Sequence, residues 1–257
     1  MNLPAATQQP ITVLQLSDSH LPADPQARYR GQSADVNLAS LRSAARSLKP
    51  EVIVLSGDIS EDGSAESYWR MGGFVRDLAP VVGWIPGNHD KRAVMAPIFD
   101  ELGFDAGPVL IAGGWQLALL DSAWPGRPDG ELDCERLAPL DQLDPGLPAL
   151  VFVHHQPVPV GSPWIDKYPL NNAQRLWRAL AGKPVRAVAF GHVHQVFEGE
   201  RYGVACLSAP STVANGLRDV PRFTPGNLGP AARWFRLWPD RRWQSGILGG
   251  ELSAPDC

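Results

Sequence analysis

Nowhere does this chain carry the roughly 18 consecutive apolar residues of a membrane-spanning helix. Met1 to Pro10 lacks the basic segment and apolar run of a secretion signal, so a cytoplasmic location without a membrane partner is expected. Cysteine is scarce: Cys134, Cys206 and Cys257 are an odd three without paired spacing. That excludes a disulfide framework and a cysteine-held zinc site, and the thiols read as those of a reducing compartment. Positive charge is also short, with 23 Lys and Arg against 27 Asp and Glu and a net charge of −4. Without a basic stripe, nucleic acid is not an expected partner. Histidine is rare too, at six residues, and its placement is therefore informative.

All six histidines fall in four short words: Asp18-Ser19-His20, Gly87-Asn88-His89-Asp90, His154-His155 and Gly191-His192-Val193-His194. A fifth word, Gly57-Asp58, adds a carboxylate between the first two. Imidazole and carboxylate are ligands of borderline and hard divalent metals, so one centre is expected to use them together. Asp18 and His20, one residue apart, face the same way if the chain there is extended. A carboxylate such as Asp58 has lone pairs enough to bridge two ions. Asn88 adds a neutral carbonyl oxygen. Two adjacent ions with open positions are the equipment of phosphoester hydrolysis.

The 257 residues suit one large domain or two small ones. Apolar runs at Ile11–Leu16, Val52–Leu55 and Val81–Ile85 read as buried strands, each ending at a metal word. Helical spacing follows at Val36 to Leu48, Ala65 to Leu78 and Lys91 to Leu102, with Pro97 expected to kink or split the last. Strand alternating with helix implies a parallel sheet, which takes ligands at the carboxyl ends of its strands. Further on, Val109–Ile111 and Gln116–Leu120 suggest a hairpin through Gly113-Gly114. Gly130 to Leu143 suggests a helix with Asp133 near its start. Strands are expected at Leu150–Val153 and Val185–Phe190, a helix at Asn172–Leu180, and antiparallel strands within 196–207 and 234–248. Segments 158–170 and 213–230 read as loops. Because the metal words come from both halves, residues 1–257 are expected to form one domain, with 1–10 as an N-terminal tail.

The five words, in this order, resemble the calcineurin-like metallophosphoesterase superfamily. The resemblance runs from about Ile11 to Leu248. It implies an α/β fold, a four-layer α/β/β/α sandwich of two mixed β-sheets with a dinuclear site at the strand edges. It implies a first metal on Asp18, His20, Asp58 and His194, and a second on Asp58, Asn88, His154 and His192. It places His89 beside the substrate phosphate, where the chemistry expects it, as imidazolium, to protonate the departing ester oxygen as general acid, with Asp62 or Asp90 orienting its ring. Mixed nitrogen and oxygen ligands permit two divalent ions of manganese, iron, zinc or cobalt. Within the superfamily the chain is similar to bacterial class III 3′,5′-cyclic-nucleotide phosphodiesterases. Leu14 to Leu21, Gly130-Glu131-Leu132, His154 to Pro159, Trp164-Ile165-Asp166 and Ala209 to Thr212 carry that similarity. Gln156 departs from it, standing where proline or histidine is frequent.

The expected reaction is hydrolysis of 3′,5′-cyclic AMP to 5′-AMP by a hydroxide that two cations generate, since together they lower the pKa of water from 15.7 toward about 7. Other small phosphoesters fit the same chemistry: 2′,3′-cyclic nucleotides, glycerophosphodiesters and nucleotide-linked pyrophosphates. A non-catalytic binding module would require a missing ligand, and none is missing. Of His154 and His155, one is expected to bind metal, with the resemblance favouring His154. Asn88, His89, His155 and Trp164 are candidates for substrate contact, although Trp164 serves equally to close its loop. Ser211-Thr212 and Arg241-Arg242 read as turn and solvated tip, and Cys206 as an inert core thiol. Oligomeric state is left open, with a homodimer among the alternatives.

Overall fold

The computed structural model describes residues 9–105 and 107–250. Most of the expected tail, 1–8, and Cys257 lie outside them. The chain runs β1 (Ile11–Leu16), α1 (Ala34–Ser40), α2 (Arg42–Leu48), β2 (Val52–Ser56), α3 (Ala65–Val75), β3 (Val81–Ile85), α4 (Arg92–Glu101), β4 (Val109–Ala112) and β5 (Trp115–Leu120). It continues through α5 (Cys134–Leu137), β6 (Ala149–Val153), α6 (Ala173–Leu180), β7 (Val185–Phe190), β8 (Glu198–Arg201), β9 (Val204–Ser208), β10 (Ala231–Leu237) and β11 (Trp243–Gly249).

Two mixed sheets result, ordered β11-β10-β1-β2-β3 and β4-β5-β6-β7-β9-β8. β1, β2 and β3 are parallel neighbours in the first. β5, β6, β7 and β9 are parallel in the second. The strands that end at metal words are predominantly apolar because both their faces are covered, with polar exceptions such as Thr12 and Gln15 in β1 and Arg186 in β7. Val13, Val52 and Val54 meet Leu150, Phe152 and Ala189 between the sheets. Leu14, Ile53 and Leu55 face the helices on one outside, with Tyr68, Met71 and Phe99. Val151, Val153 and Val188 face Leu176, Trp177 and Leu180 on the other. Three apolar seams separating four layers make the α/β/β/α sandwich.

Helices depart from the expectation more than strands do. The expected 36–48 helix is two helices that meet at Leu41, whose N–H bonds Leu38 O at 3.1 Å in a tightened turn. The break leaves Leu38, Leu41 and Ala45 all buried. The expected 130–143 helix shrinks to α5 and a 3-10 turn over Ala138–Gln142. Pro139 cannot donate to an α-helical ladder, and Gly130 is held in an extended pairing with Leu170. Asp133 does cap α5, accepting from Arg136 N at 2.9 Å. α4 runs unsplit through Pro97. Gly72 in α3 is explained by packing, since a Cβ there would collide with Leu102 just beyond α4.

Candidate metal centre

Five loops at the carboxyl ends of β1, β2, β3, β6 and β7 converge. They are tied by bonds that prolong the ladders past the strands. Asp18 N donates to Gly57 O at 3.0 Å, His20 N to Asp58 O at 2.9 Å, and Gly191 N to His154 O at 3.0 Å. The two sheets are joined through Asp18, whose carboxylate accepts from His192 N at 3.0 and 2.9 Å. Asp58 Oδ1 accepts from His89 N at 2.9 Å. Gly87 allows that approach, because a Cβ there would overlap Asp58 Oδ1 and the Asp58 backbone nitrogen.

Asp18 and His20 are not extended. Both have positive φ, at 54° and 42°, and so do Asp58 at 50°, His192 at 68° and His194 at 48°. The left-handed region costs a non-glycine residue roughly 1–3 kcal/mol and collects at functional sites. Side chains at alternate left-handed positions, not strand pleating, turn Asp18 and His20 into the centre.

Asp18, His20 and His194 bring ligand atoms within 4.8 Å of one another, as do Asp18, Asp58 and His154, and also His154, His155 and His192. Asp18, Asp58, His20, His154, His192 and His194 are all buried. The state of two rings can be read from their partners. His20 Nδ1 meets the Glu61 carboxylate at 2.7 Å, and His194 Nδ1 meets Ala214 O at 2.7 Å. Both partners only accept, so both Nδ1 atoms carry hydrogen. Neutral rings therefore turn two lone pairs toward each other, across 3.1 Å between Nε2 atoms. A cation relieves that opposition. Asn88 Oδ1 and His154 Nε2 are buried without a hydrogen-bond partner, as ligand atoms awaiting an ion would be. His154 Nδ1 is held at 2.8 Å by Ser56 O, which fixes the ring with Nε2 inward. The residues present thus fit a pair of divalent cations.

Electrostatics favour the metal-binding forms of most of the cluster. Burial pushes the Asp58 carboxyl up, but the charges of His154 and His20 outweigh it and hold the group well below the usual carboxylate range. Burial and the charge of His154 lower His192 to about 3, and burial with His192 and His154 keeps His155 well below its ordinary value. Burial pulls His154 down, but the Asp58 and Asp18 carboxylates outweigh it and raise the ring to about 9, so a cation there would displace its proton, since neutral imidazoles and ionised carboxylates are the forms that bind metal.

Three expectations change. Neither Asp62 nor Asp90 reaches the His89 ring. Its Nδ1 lies 3.2 Å from Glu61 Oε2 and 3.2 Å from Glu61 O. Asp90 instead accepts from Gly87 N, Ser60 N and Ile59 N at 2.9, 3.0 and 3.2 Å, binding two metal loops together. Asp62 accepts from Ala23 N at 2.8 Å and Ser64 N at 3.1 Å, tying its own turn to the segment after β1. His155 is enclosed behind His154 and His192, bonded to Ser122 Oγ at 2.8 Å, and does not line the cleft. Glu61 was overlooked although its signal, an acid three residues past Asp58, stood in the sequence.

Over the centre lies a cleft of about 300 Å³, lined by Asn88, His89, His192 and His194, and by Trp164, Tyr29, Arg30 and Phe223. Trp164 also closes its loop, being 7% exposed, so both readings of it meet here. Ser211 Oγ donates to Asp18 O at 2.8 Å and Thr212 Oγ1 to Ser19 Oγ at 2.9 Å, bracing the first metal loop. Arg242 pairs with Asp240 at the exposed tip between β10 and β11, away from the centre.

The calcineurin-like phosphoesterase family matches residues 11–196. A 3′,5′-cyclic adenosine monophosphate phosphodiesterase CpdA of Pseudomonas aeruginosa is 36% identical over 252 residues, covering 94% of this chain and 91% of its own. A 3′,5′-cyclic-nucleotide phosphodiesterase of Nostoc is 32% identical, covering 96% and 95%. Among solved structures, a dimetal phosphatase from Danio rerio superposes with a TM-score of 0.68 at 15% identity, over 95% of this chain and 100% of that one. That likeness supports the fold alone.

Proposed function

The chain belongs to the calcineurin-like phosphoesterase family, whose enzymes hydrolyse phosphoesters at two divalent ions, and from that premise we propose that its substrate is 3′,5′-cyclic AMP, opened to 5′-AMP. Two-metal hydrolysis rests on the opposed Nε2 pair of His20 and His194 for one ion and the partnerless Asn88 Oδ1 and His154 Nε2 for the other. The choice of a cyclic nucleotide rests on the relatives, which cover nearly the whole chain, and on the size of the cleft. Such a volume suits a small molecule and not a polynucleotide.

In this reading Asp18, His20, Asp58 and His194 hold one ion, and Asp58, Asn88, His154 and His192 hold the other. When bound, the pair polarises the phosphoryl oxygens and supplies hydroxide at neutral pH. The protein does the rest. Asn88 and His89 sit at the cleft wall where the phosphate must lie. His89 gives a proton to the departing 3′-oxygen. Its Nδ1 is committed to Glu61, which leaves Nε2 for the substrate. Burial pulls the ring's pKa down, but the Glu61 hydrogen bond and the Asp58 charge win and raise it to about 10. Cations held by the ligands named above would act on the ring in the opposite direction.

A single domain is supported by a centre built from both sheets, and a cytoplasmic setting by the free thiols of Cys134 and Cys206. No helix among the described residues is long and apolar enough to cross a membrane. Metal-loaded protein incubated with 3′,5′-cyclic AMP is expected to release 5′-AMP, and a chelated control is not. Absence of 5′-AMP alongside turnover of a glycerophosphodiester, a 2′,3′-cyclic nucleotide or a nucleotide-linked pyrophosphate would replace the proposed substrate.

A further inference from the structure

Hydrolysis as described leaves Arg30, Lys167 and Arg222 of the cleft wall unused, and of these Arg30 lies over Tyr29, Trp164 and Phe223. Tyr29 and Gln32 close a two-residue turn, with Tyr29 N to Gln32 O at 3.0 Å and Gln32 N to Tyr29 O at 2.8 Å. Its central residues are Arg30 at φ 49° and Gly31 at φ 81°. Two positive φ values define a type I′ turn, and its first central position ordinarily takes Asn, Asp or Gly. A long arginine there is a strained choice, of the kind kept where a site needs the side chain. The guanidinium carbon lies 3.7 Å from the centroid of Phe223, 5.2 Å from Tyr29 and 5.6 Å from Trp164. Its Nε donates to Tyr29 Oη at 2.9 Å. Among the described residues no carboxylate pairs with it, and its terminal amino groups have no protein acceptor.

This aromatic group is built onto the metal centre. Tyr29 stacks on His20 with centroids 3.9 Å apart and planes at 6°. Phe223 lies 6.2 Å and Trp164 6.4 Å from His194. A substrate whose phosphate is on the metals therefore reaches these rings with its next part. We infer that Arg30, seated on Phe223, recognises the nucleobase of the substrate. A purine offers a flat π-face and in-plane acceptor nitrogens, which a guanidinium both stacks on and donates to. A second phosphate would want charge alone and would meet three ring faces that repel anions. The inference rests on the nucleotide reading above and is tested apart from it.

The test is calorimetric titration of the metal-loaded protein with 5′-AMP and with ribose 5-phosphate, which differ by the base. The wild-type protein is expected to bind 5′-AMP about tenfold more tightly, the order of one base-stacking contact. Arg30→Met and Phe223→Ala are expected to bring the ratio to within about threefold of unity. Arg30→Lys keeps the charge but not the flat fork, and is expected to behave as the methionine variant. A preference that survives in Arg30→Met, or is fully kept by Arg30→Lys, overturns the assignment. Wild-type protein that prefers 5′-AMP yet leaves cyclic AMP intact would remove the proposed substrate and leave Arg30 its role. Turnover of cyclic AMP without any preference would do the reverse.

Discussion

Asp58→Asn is expected to fold, to hold at most one metal ion per chain, and to lose turnover by more than about 10³-fold, because the bridging charge underlies the hydroxide supply. The substitution keeps shape and leaves Oδ1 able to accept from His89 N, so the loop has no reason to collapse. What it removes is one of two enclosed carboxylates, Asp18 and Asp58, that face the imidazole cluster. Asp58 alone stands against both His20, at 3.7 Å, and His154, at 3.4 Å. A neutral amide offers one weak oxygen where an anion offered two. Plasma emission spectroscopy on dialysed protein reads the metal content. Two ions per chain with near-normal turnover would show that Asp58 does not bridge.

His89→Ala is expected to do something different: lower kcat on cyclic AMP by about 10²–10⁴-fold, the range for a lost general acid, while both ions stay. The ring contacts Glu61 and packs edge-on against His20, but Asp58 is held by the backbone N–H of His89, which alanine keeps, so the metal loop is preserved. A 4-nitrophenyl ester, whose leaving group departs without a proton, is expected to suffer far less. Loss of metal on His89→Ala, or equal damage on both esters, would take the acid role from this residue.

The strands that lead to the centre were legible because each is a predominantly apolar run that stops at a chemically distinctive word. Helix limits were less legible. Leu41 gives no local sign that a helix breaks there, and the break follows from which leucines the sheet must cover. Around the centre, ligand identities could be read but their conformation could not. Extended geometry for Asp18-Ser19-His20 was the natural assumption, whereas five left-handed residues make the centre. Asp62 and Asp90 stood as the partners expected for His89, and only distances singled out Glu61 in their place. Tyr29 and Phe223 lie far apart in sequence in segments without a motif, and only the fold brings them to one wall.

Diffraction from metal-loaded crystals, with data collected on either side of the metal's absorption edge, tests the central claim most directly. Two anomalous peaks per chain are expected to share Asp58, one against Asp18, His20 and His194, the other against Asn88, His154 and His192. A single peak, or a second one lodged between His20, Glu61 and His89, would contradict that claim.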